Sequence, residues 1–386
     1  MANPFKCFLV TLITVSVVSD ALLLPFYPQF FRAAFAMDDP WYIGLYLSAT
    51  CLVVMLAFVL WARVAKHIPV LRLLVYTQCA AGLLSIACYG AQSLADFWLL
   101  SLLMLGFKGS YLLIYPYIMS LETQDKHGGT VGLLAVLVHL GAILGAAAGG
   151  LVLELLAPRQ AFLLMAAGDF MQMLICCGLL AVRMTPVPLP ETAMANPPRT
   201  VGLYPLGMVM LLFYFSVSLG RPFFSSYWQT LSPWQGETVT GLVFALPGAI
   251  ALVALCLGKN KGGLHGVSPA LGLCAIGLAC QAIPHPVVVL VGRCLYGWGL
   301  FQATVYLDVC VFAISTPSTY TRDFSKIYFC QSVGALLAAL AAGRLVADYP
   351  LSAPFLVGAA ALLPTLLIYL LLFRPRALHS LAVSKP

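Results

Sequence analysis

Between Cys7 and Phe373 the sequence repeatedly enters stretches of about 20 residues almost free of charge, each long enough to cross a hydrocarbon core of about 30 Å as a helix. Window by window they lie near 7–31, 41–62, 70–90, 97–121, 130–153, 160–182, 201–220, 239–257, 268–283, 286–312, 325–347 and 352–373, twelve in all. A backbone in lipid finds no water for its N–H and C=O groups, so spans of this length must be helical. Composition agrees: 62% of residues are hydrophobic and 9% charged, against about 25% charged in soluble domains. The expected fold class is therefore an all-α membrane protein with twelve transmembrane helices. The first span follows Lys6 as a signal peptide would, but it runs on through Asp20 and Pro25 without a small-residue cleavage site and reads as a retained helix.

The net charge of +7 is spread along the membrane rather than gathered for nucleic acid. With a cytoplasmic N-terminus, the inner segments hold Lys6, Arg63, Lys66, Arg72, Lys126, Arg183, Arg199, Lys259, Lys261, Arg322, Lys326, Arg374, Arg376 and Lys385, fourteen of the 20 basic residues. The outer loops hold four, Arg32, Arg159, Arg221 and Arg344, and Lys108 and Arg293 lie inside spans. That bias places both termini in the cytoplasm of an inner (plasma) membrane protein. The twelve cysteines fall within spans, without CxxC pairs or metal-site spacing, as small packing residues do.

A proline-rich polar stretch, "RMTPVPLPETAMANPPRT", follows the sixth span and reads as a linker. The expected organisation is an N-terminal six-helix half (1–182), a cytoplasmic linker (183–200), a C-terminal six-helix half (201–373) and a cytoplasmic tail (374–386). The halves echo one another: "GAILGAAAGG" from Gly141 returns as "GALLAALAAG" from Gly334, and "FYPQ" from Phe26 as "SYWQ" from Ser226. Paired six-helix halves with a substrate site between them near mid-membrane are a transporter plan.

The small residues carry the first motif. Gly141, Gly145, Gly149 and Gly150 let helix backbones approach closely in lipid. They also match the Gly-x-x-x-Gly-Pro-x-x-Gly-Gly signature in the fifth helix of major facilitator superfamily exporters, with Ala146 at the proline position. The chain resembles that superfamily over nearly its whole length. In "WARVAKHIPVLR", Trp61 to Arg72, the basic residues of the family's second-to-third-helix loop persist, while Ala65 and Ile68 replace its aspartate and a glycine. "LGFKGSY", Leu105 to Tyr111, puts Lys108 in place of the fourth-helix arginine, and "GRCLYGWG", Gly292 to Gly299, shows that pattern more closely. The resemblance implies a major facilitator fold of two pseudo-symmetric halves and a drug or metabolite exporter, with a fainter likeness to siderophore exporters. It also implies that the glycine helix, with Gly334 as its echo, packs the halves and governs opening.

A charge at the centre of a membrane helix costs about 2.5–3.5 kcal/mol on insertion scales, so it should face a partner or a wet cavity. Asp20 is about thirteen residues into span one and Lys108 about eleven into span four from the other side, so at about 1.5 Å per residue their depths agree to roughly a turn. In the resembling fold both helices line the cavity, so Asp20 and Lys108 could meet. Two readings stay open: a titrating pair that couples transport to protons, or a permanent pair that fixes packing. Asp169 in span six is a further proton-coupling candidate or a hydrogen-bonded structural aspartate. Candidate cavity residues are Gln29, Tyr111, Tyr115, Arg221 and Arg293; the arginines suit an anionic group, and Arg221 reads alternatively as an external loop charge. A histidine could titrate near neutral pH, but His139, alone in its span, reads as a packing residue, and Asp308 as interfacial.

No GxxxxGK[ST] loop, hydrolase triad or metal cluster points to an enzyme, and no cofactor is expected. The expected function is secondary active transport by alternating access, exporting a small organic molecule, a drug or metabolite with siderophores among the candidates, by antiport against protons. The alternative is proton-coupled import of a nutrient or iron-siderophore. Expected partners are the small-molecule substrate, protons and the lipid bilayer, with no nucleic acid and a monomeric chain. A membrane sensor is disfavoured by the paired halves and the embedded charges.

Overall fold

The computed structural model describes residues 4–120, 127–182, 203–234, 236–257, 266–315 and 320–372; the linker 183–200 and the tail 374–386 lie outside the described residues. Among the described residues the chain is helical and carries no strand: α1 (Pro4–Ala21), α2 (Tyr27–Phe35), α3 (Pro40–Val64), α4 (Val70–Gly90), α5 (Leu94–Lys108), a 3-10 turn (Gly109–Leu113), α6 (Ile114–Ser120), α7 (His127–Leu155) and, after a 3-10 turn, α8 (Ala161–Ala181). There follow α9 (Leu203–Ser218), α10 (Phe224–Leu231), α11 (Glu237–Cys256), α12 (Val267–Gln281), α13 (Pro286–Ile314), α14 (Tyr320–Asp348) and α15 (Ala353–Leu372). Nine of these segments are long and apolar enough to cross a membrane, and three shorter apolar helices, Phe8–Ala21, Leu203–Ser218 and Val267–Gln281, fall where the remaining spans are expected. Large apolar side chains cover the outside: Leu56, Leu83, Leu174 and Leu363 are 58%, 58%, 63% and 62% exposed. A soluble monomer rarely carries so much apolar surface, and lipid is its natural cover. The chain is a multi-pass membrane protein.

The first span departs from expectation. It is two helices, because the chain leaves helical geometry before α2, whose N-cap Phe26 has φ −118° and ψ 14°. Pro25 has no N–H to continue the ladder and pushes Leu24 out of the α region. The seventh span breaks the same way before α10, where Pro222 precedes N-cap Phe223 at φ −112° and ψ 8°. This pairs Pro25 with Pro222, three residues out of step with the "FYPQ" and "SYWQ" echo.

By density of contacts the described residues form two compact units: unit 1 within Met1–Asp39, Ala49–Pro190 and Pro233–Ala245, and unit 2 within Pro40–Ser48, Glu191–Ser232 and Leu246–Pro386. Each is built on the same close crossings. In unit 1, a methyl on Gly145 would lie 2.5 Å from Ala21 Cβ and 2.6 Å from the Val18 carbonyl of α1, and one on Gly141 would lie 2.9 Å from Val17 Cβ. In unit 2, a methyl on Gly334 of α14 would lie 3.0 Å from the Phe215 nitrogen of α9. The other side of α7 takes the first turns of α11: Gly150 abuts the Glu237 carbonyl, Gly241 abuts the Ala146 carbonyl, and the Thr238 N–H donates to Glu154 at 3.0 Å. Unit 2 repeats that crossing between α14 and the start of α3, where a methyl on Gly343 would lie 2.7 Å from the Pro40 carbonyl and one on Gly44 2.7 Å from the Ala339 carbonyl. The small residues of α7 thus serve two neighbouring helices, one on each side.

Three clusters stiffen the units. In unit 1 the rings of Phe30, Phe31, Phe35, Phe97 and Phe162 interlock, and Arg159 stacks 4.9 Å above Phe35 while donating to the Ala34 carbonyl at 3.1 Å. Toward the start of α1, Leu9, Leu12, Ile13, Leu71, Leu74, Ile114, Leu137, Cys176 and Leu179 form an apolar block. Unit 2 packs Ala251, Ala254 and Phe301.

Candidate functional site, a buried lysine between two carboxylates

Lys108 is the last residue of α5, where the α-helix tightens into the 3-10 turn. Its Nζ lies 3.1 Å from Asp20 Oδ1 of α1 and 3.2 Å from Asp169 Oδ1 of α8. Lys108 is 2% exposed and Asp169 0%, whereas the Asp20 side chain remains 32% exposed. Asp169 has a second anchor, because Ser85 Oγ of α4 donates to its Oδ2 at 3.2 Å. The helices can converge because Gly168, the neighbour of Asp169, lies against Ser19 Oγ, the neighbour of Asp20, with no room between them for a side chain. With all three groups ionised, one cation faces two anions, and the set carries a surplus negative charge. Adding one proton to either carboxylate balances the set. Each group alone would carry a heavy desolvation cost, which the mutual attraction and the Ser85 hydroxyl offset.

The sequence pairs Asp20 with Lys108 by depth and points to Asp169 apart from them, and the structure brings all three together. It does not bring the other candidates to that point. Gln29 is half-buried on α2, beyond the break, and Tyr111 and Tyr115 are half-buried against the apolar block of unit 1. Arg293 and Arg221 belong to unit 2. Arg293 is 4% exposed, its guanidinium 4.0 Å above the Phe224 ring. Arg221 is exposed in the break between α9 and α10 and lies within electrostatic reach of Arg293 and Tyr296. Tyr296 in turn donates to the Val217 carbonyl at 2.8 Å. His139 is half-buried on α7 and Asp308 half-buried on α13. Among the described residues no cluster of His, Cys, Asp or Glu could hold a metal ion.

Sequence reasoning passed over Ser85, Gln78 and Gln172. All three are 0% exposed. Their signal was present as spacing: Gln172 is one turn from Asp169, and Gln78 two turns from Ser85, so each pair shares a helix face. Which helix faces α8 is a tertiary fact that no period in α4 announces.

No protein-family model matches the chain, and no curated protein matches it. Solved structures do. The nucleoside transporter NupG superposes with a TM-score of 0.76 at 12% identity, covering 96% of this chain and 100% of its own. The human organic anion transporter MFSD10 (TETRAN) gives 0.72 at 16% identity, covering 94% and 98%. The POT family transporter PepTSo gives 0.79 at 9% identity, covering 98% of each chain. At such identities the likeness speaks for architecture alone, and with the apolar helices and the repeated crossings it shows that this multi-pass membrane protein has the major facilitator fold.

Proposed function

We propose that the chain is a secondary active transporter that works by alternating access and exports a small organic molecule, a drug or metabolite with siderophores among the candidates, in exchange for protons. The observation that carries this reading is Lys108 held between Asp20 and Asp169. A purely structural ion pair needs one carboxylate. Here there are two, and the surplus one is where a proton can be taken up without leaving the lysine unpaired. Asp20, a third exposed at the end of α1, is the carboxylate that meets water and takes a proton first; Asp169, closed off and held by Ser85, keeps Lys108 in place until it is protonated in its turn. A proton on Asp20 loosens its hold on Lys108 and on α1, and α1 is the helix against which the α7 glycines pack. Binding chemistry in one unit is thereby tied to helix movement.

The same fold carries transporters of nucleosides, organic anions and peptides, which supports a small organic cargo. Arg221 and Arg293, with Tyr296 beside them, suit an anionic group on that cargo. The reading places the protein in the inner membrane as a monomer with both termini in the cytoplasm.

The test is transport in inside-out vesicles with an acid interior, screening siderophores and amphipathic drugs in wild type and Asp20→Asn. Gradient-dependent uptake that is lost in the variant, with folded protein in detergent, is the expected result. Coupling unchanged in Asp20→Asn removes Asp20 from the mechanism, and gradient-driven entry into right-side-out vesicles alone turns the direction to import.

A further inference from the structure

Beside the lysine, unit 1 buries a second set of polar groups that ion pairing does not use. Gln172 Oε1 accepts from Ser16 Oγ at 2.6 Å, and Ser16 is one turn before Asp20 on α1. Gln78 Nε2 donates to Ser110 Oγ at 3.3 Å, and that hydroxyl shares a 2.6 Å hydrogen bond with Thr77 Oγ1. Ser16, Gln78, Ser110 and Gln172 are all 0% exposed. Each glutamine nevertheless has one half of its amide without a protein partner, the acceptor Oε1 of Gln78 and the donor Nε2 of Gln172. They sit on α4 and α8, which pack against each other along their length.

Leaving a buried amide group unpaired costs about 1–3 kcal/mol. Internal water removes that cost where a site offers two to four polar partners, and this one offers a donor, an acceptor and flanking hydroxyls. Lys108 has three N–H groups and spends two on carboxylates. The strip is bounded on the side away from Ser85 by the apolar block that contains Cys176 and Leu179, so water held there is confined beside the ion pairs.

We propose that Gln78 and Gln172 hold a small group of internal waters next to Lys108, and that these waters exchange the proton of Asp169. Asp20 meets solvent directly, but Asp169 is fully closed, so its proton needs a relay. Each relay step changes only O–H bonds: a water takes a proton on one lone pair and gives another of its protons to the carboxylate. The relay rests on the proton-coupled reading above; the waters do not.

The site is tested without substrate or gradient. The full chain, purified in detergent, is exposed to brief X-ray radiolysis in oxygen-18 water, and label is located by mass spectrometry. The reporter is Cys176, 0% exposed and four residues beyond Gln172; the reference is Cys274, 0% exposed in unit 2. Label at Cys176 should exceed that at Cys274 several-fold, and fall to the Cys274 level in Gln78→Leu/Gln172→Leu. Gln172→Met, closer in shape, serves if the double variant does not fold, with the unfolding midpoint as control. Equal label at the two cysteines in wild type, or unchanged label at Cys176 in a folded variant, overturns the water site. The relay is read by infrared after a jump from H2O to D2O at acid pH, with the Asp169 carboxylic band assigned by its loss in Asp169→Asn. Gln172→Met should slow its exchange several-fold, and equal rates overturn the relay. If Asp20→Asn leaves transport coupling intact while Cys176 is labelled, the proton reading falls and the waters stand.

Discussion

Lys108 holds a full positive charge where solvent barely reaches, and its two carboxylates make the arrangement sensitive to which member is removed. Taking away the lysine alone leaves Asp169 charged and 0% exposed, a situation that costs about 3–5 kcal/mol when a buried pair is broken on one side. Lys108→Met should therefore lower the thermal unfolding midpoint in detergent sharply. Lys108→Met combined with Asp169→Leu removes the buried charge from both sides and leaves only Asp20, which is a third exposed and can stay hydrated. Replacing a buried pair by packed apolar residues is often neutral, so the double variant should regain most of the lost stability. A double variant no more stable than the single one would show that Lys108 and Asp169 are not an energetic unit. The neighbourhood of Asp20 and Lys108 is legible in the sequence, because depth in a membrane helix can be counted residue by residue. The Ser85 hydroxyl is not legible, because its role depends on which face of α4 meets α8.

Helix crossings, rather than single contacts, explain why α7 is so rich in small residues. Gly141 and Gly145 meet α1 and Gly149 meets Leu22 just past its end, while Ala146 and Gly150 meet the first turns of α11. A methyl on Gly145 would stand 2.5 Å from Ala21 Cβ and 2.6 Å from the Val18 carbonyl, with backbone on one side that cannot turn away. Overpacking a well-filled contact costs about 1–3 kcal/mol, and Gly145→Leu adds far more than a methyl. It should reduce folded yield and the unfolding midpoint, and block transport in what does fold; normal expression with normal transport would mean that α1 and α7 need not touch. The counterpart of Gly145 in the echo is Ala338, fully buried with its methyl in place. That echo was readable from letters alone in "GAILGAAAGG" and "GALLAALAAG". The broken first helices were not, although Pro25 and Pro222 are in plain view. Membrane helices tolerate proline, so length favoured one span, and only the dihedral angles of Phe26 and Phe223 reveal the break.

At the scale of the whole chain, the alternation of spans and the placement of charge make independent demands that must agree. In the proposed topology an even number of crossings puts both ends on one side, and the positive-inside bias assigns that side to the cytoplasm. The three shorter helices are where this can fail, because α12 has 15 residues and at 1.5 Å per residue falls short of a core about 30 Å thick. If α12 did not cross, the spans after it would reverse, and Arg322, Lys326 and the basic tail would face outward against the charge bias. The proposed topology therefore requires α12 to span, with local thinning of the bilayer taking up the difference. A fluorescent reporter that matures only in the cytoplasm, fused after Pro386, should be bright. An export-activated phosphatase placed after Asp38, between α2 and α3, should be active, and the same phosphatase after Ile283, beyond α12, should be active as well. A dark C-terminal reporter together with an inactive phosphatase at Ile283 would mean that α12 lies within the structure without crossing, and the twelve-span topology would have to be given up.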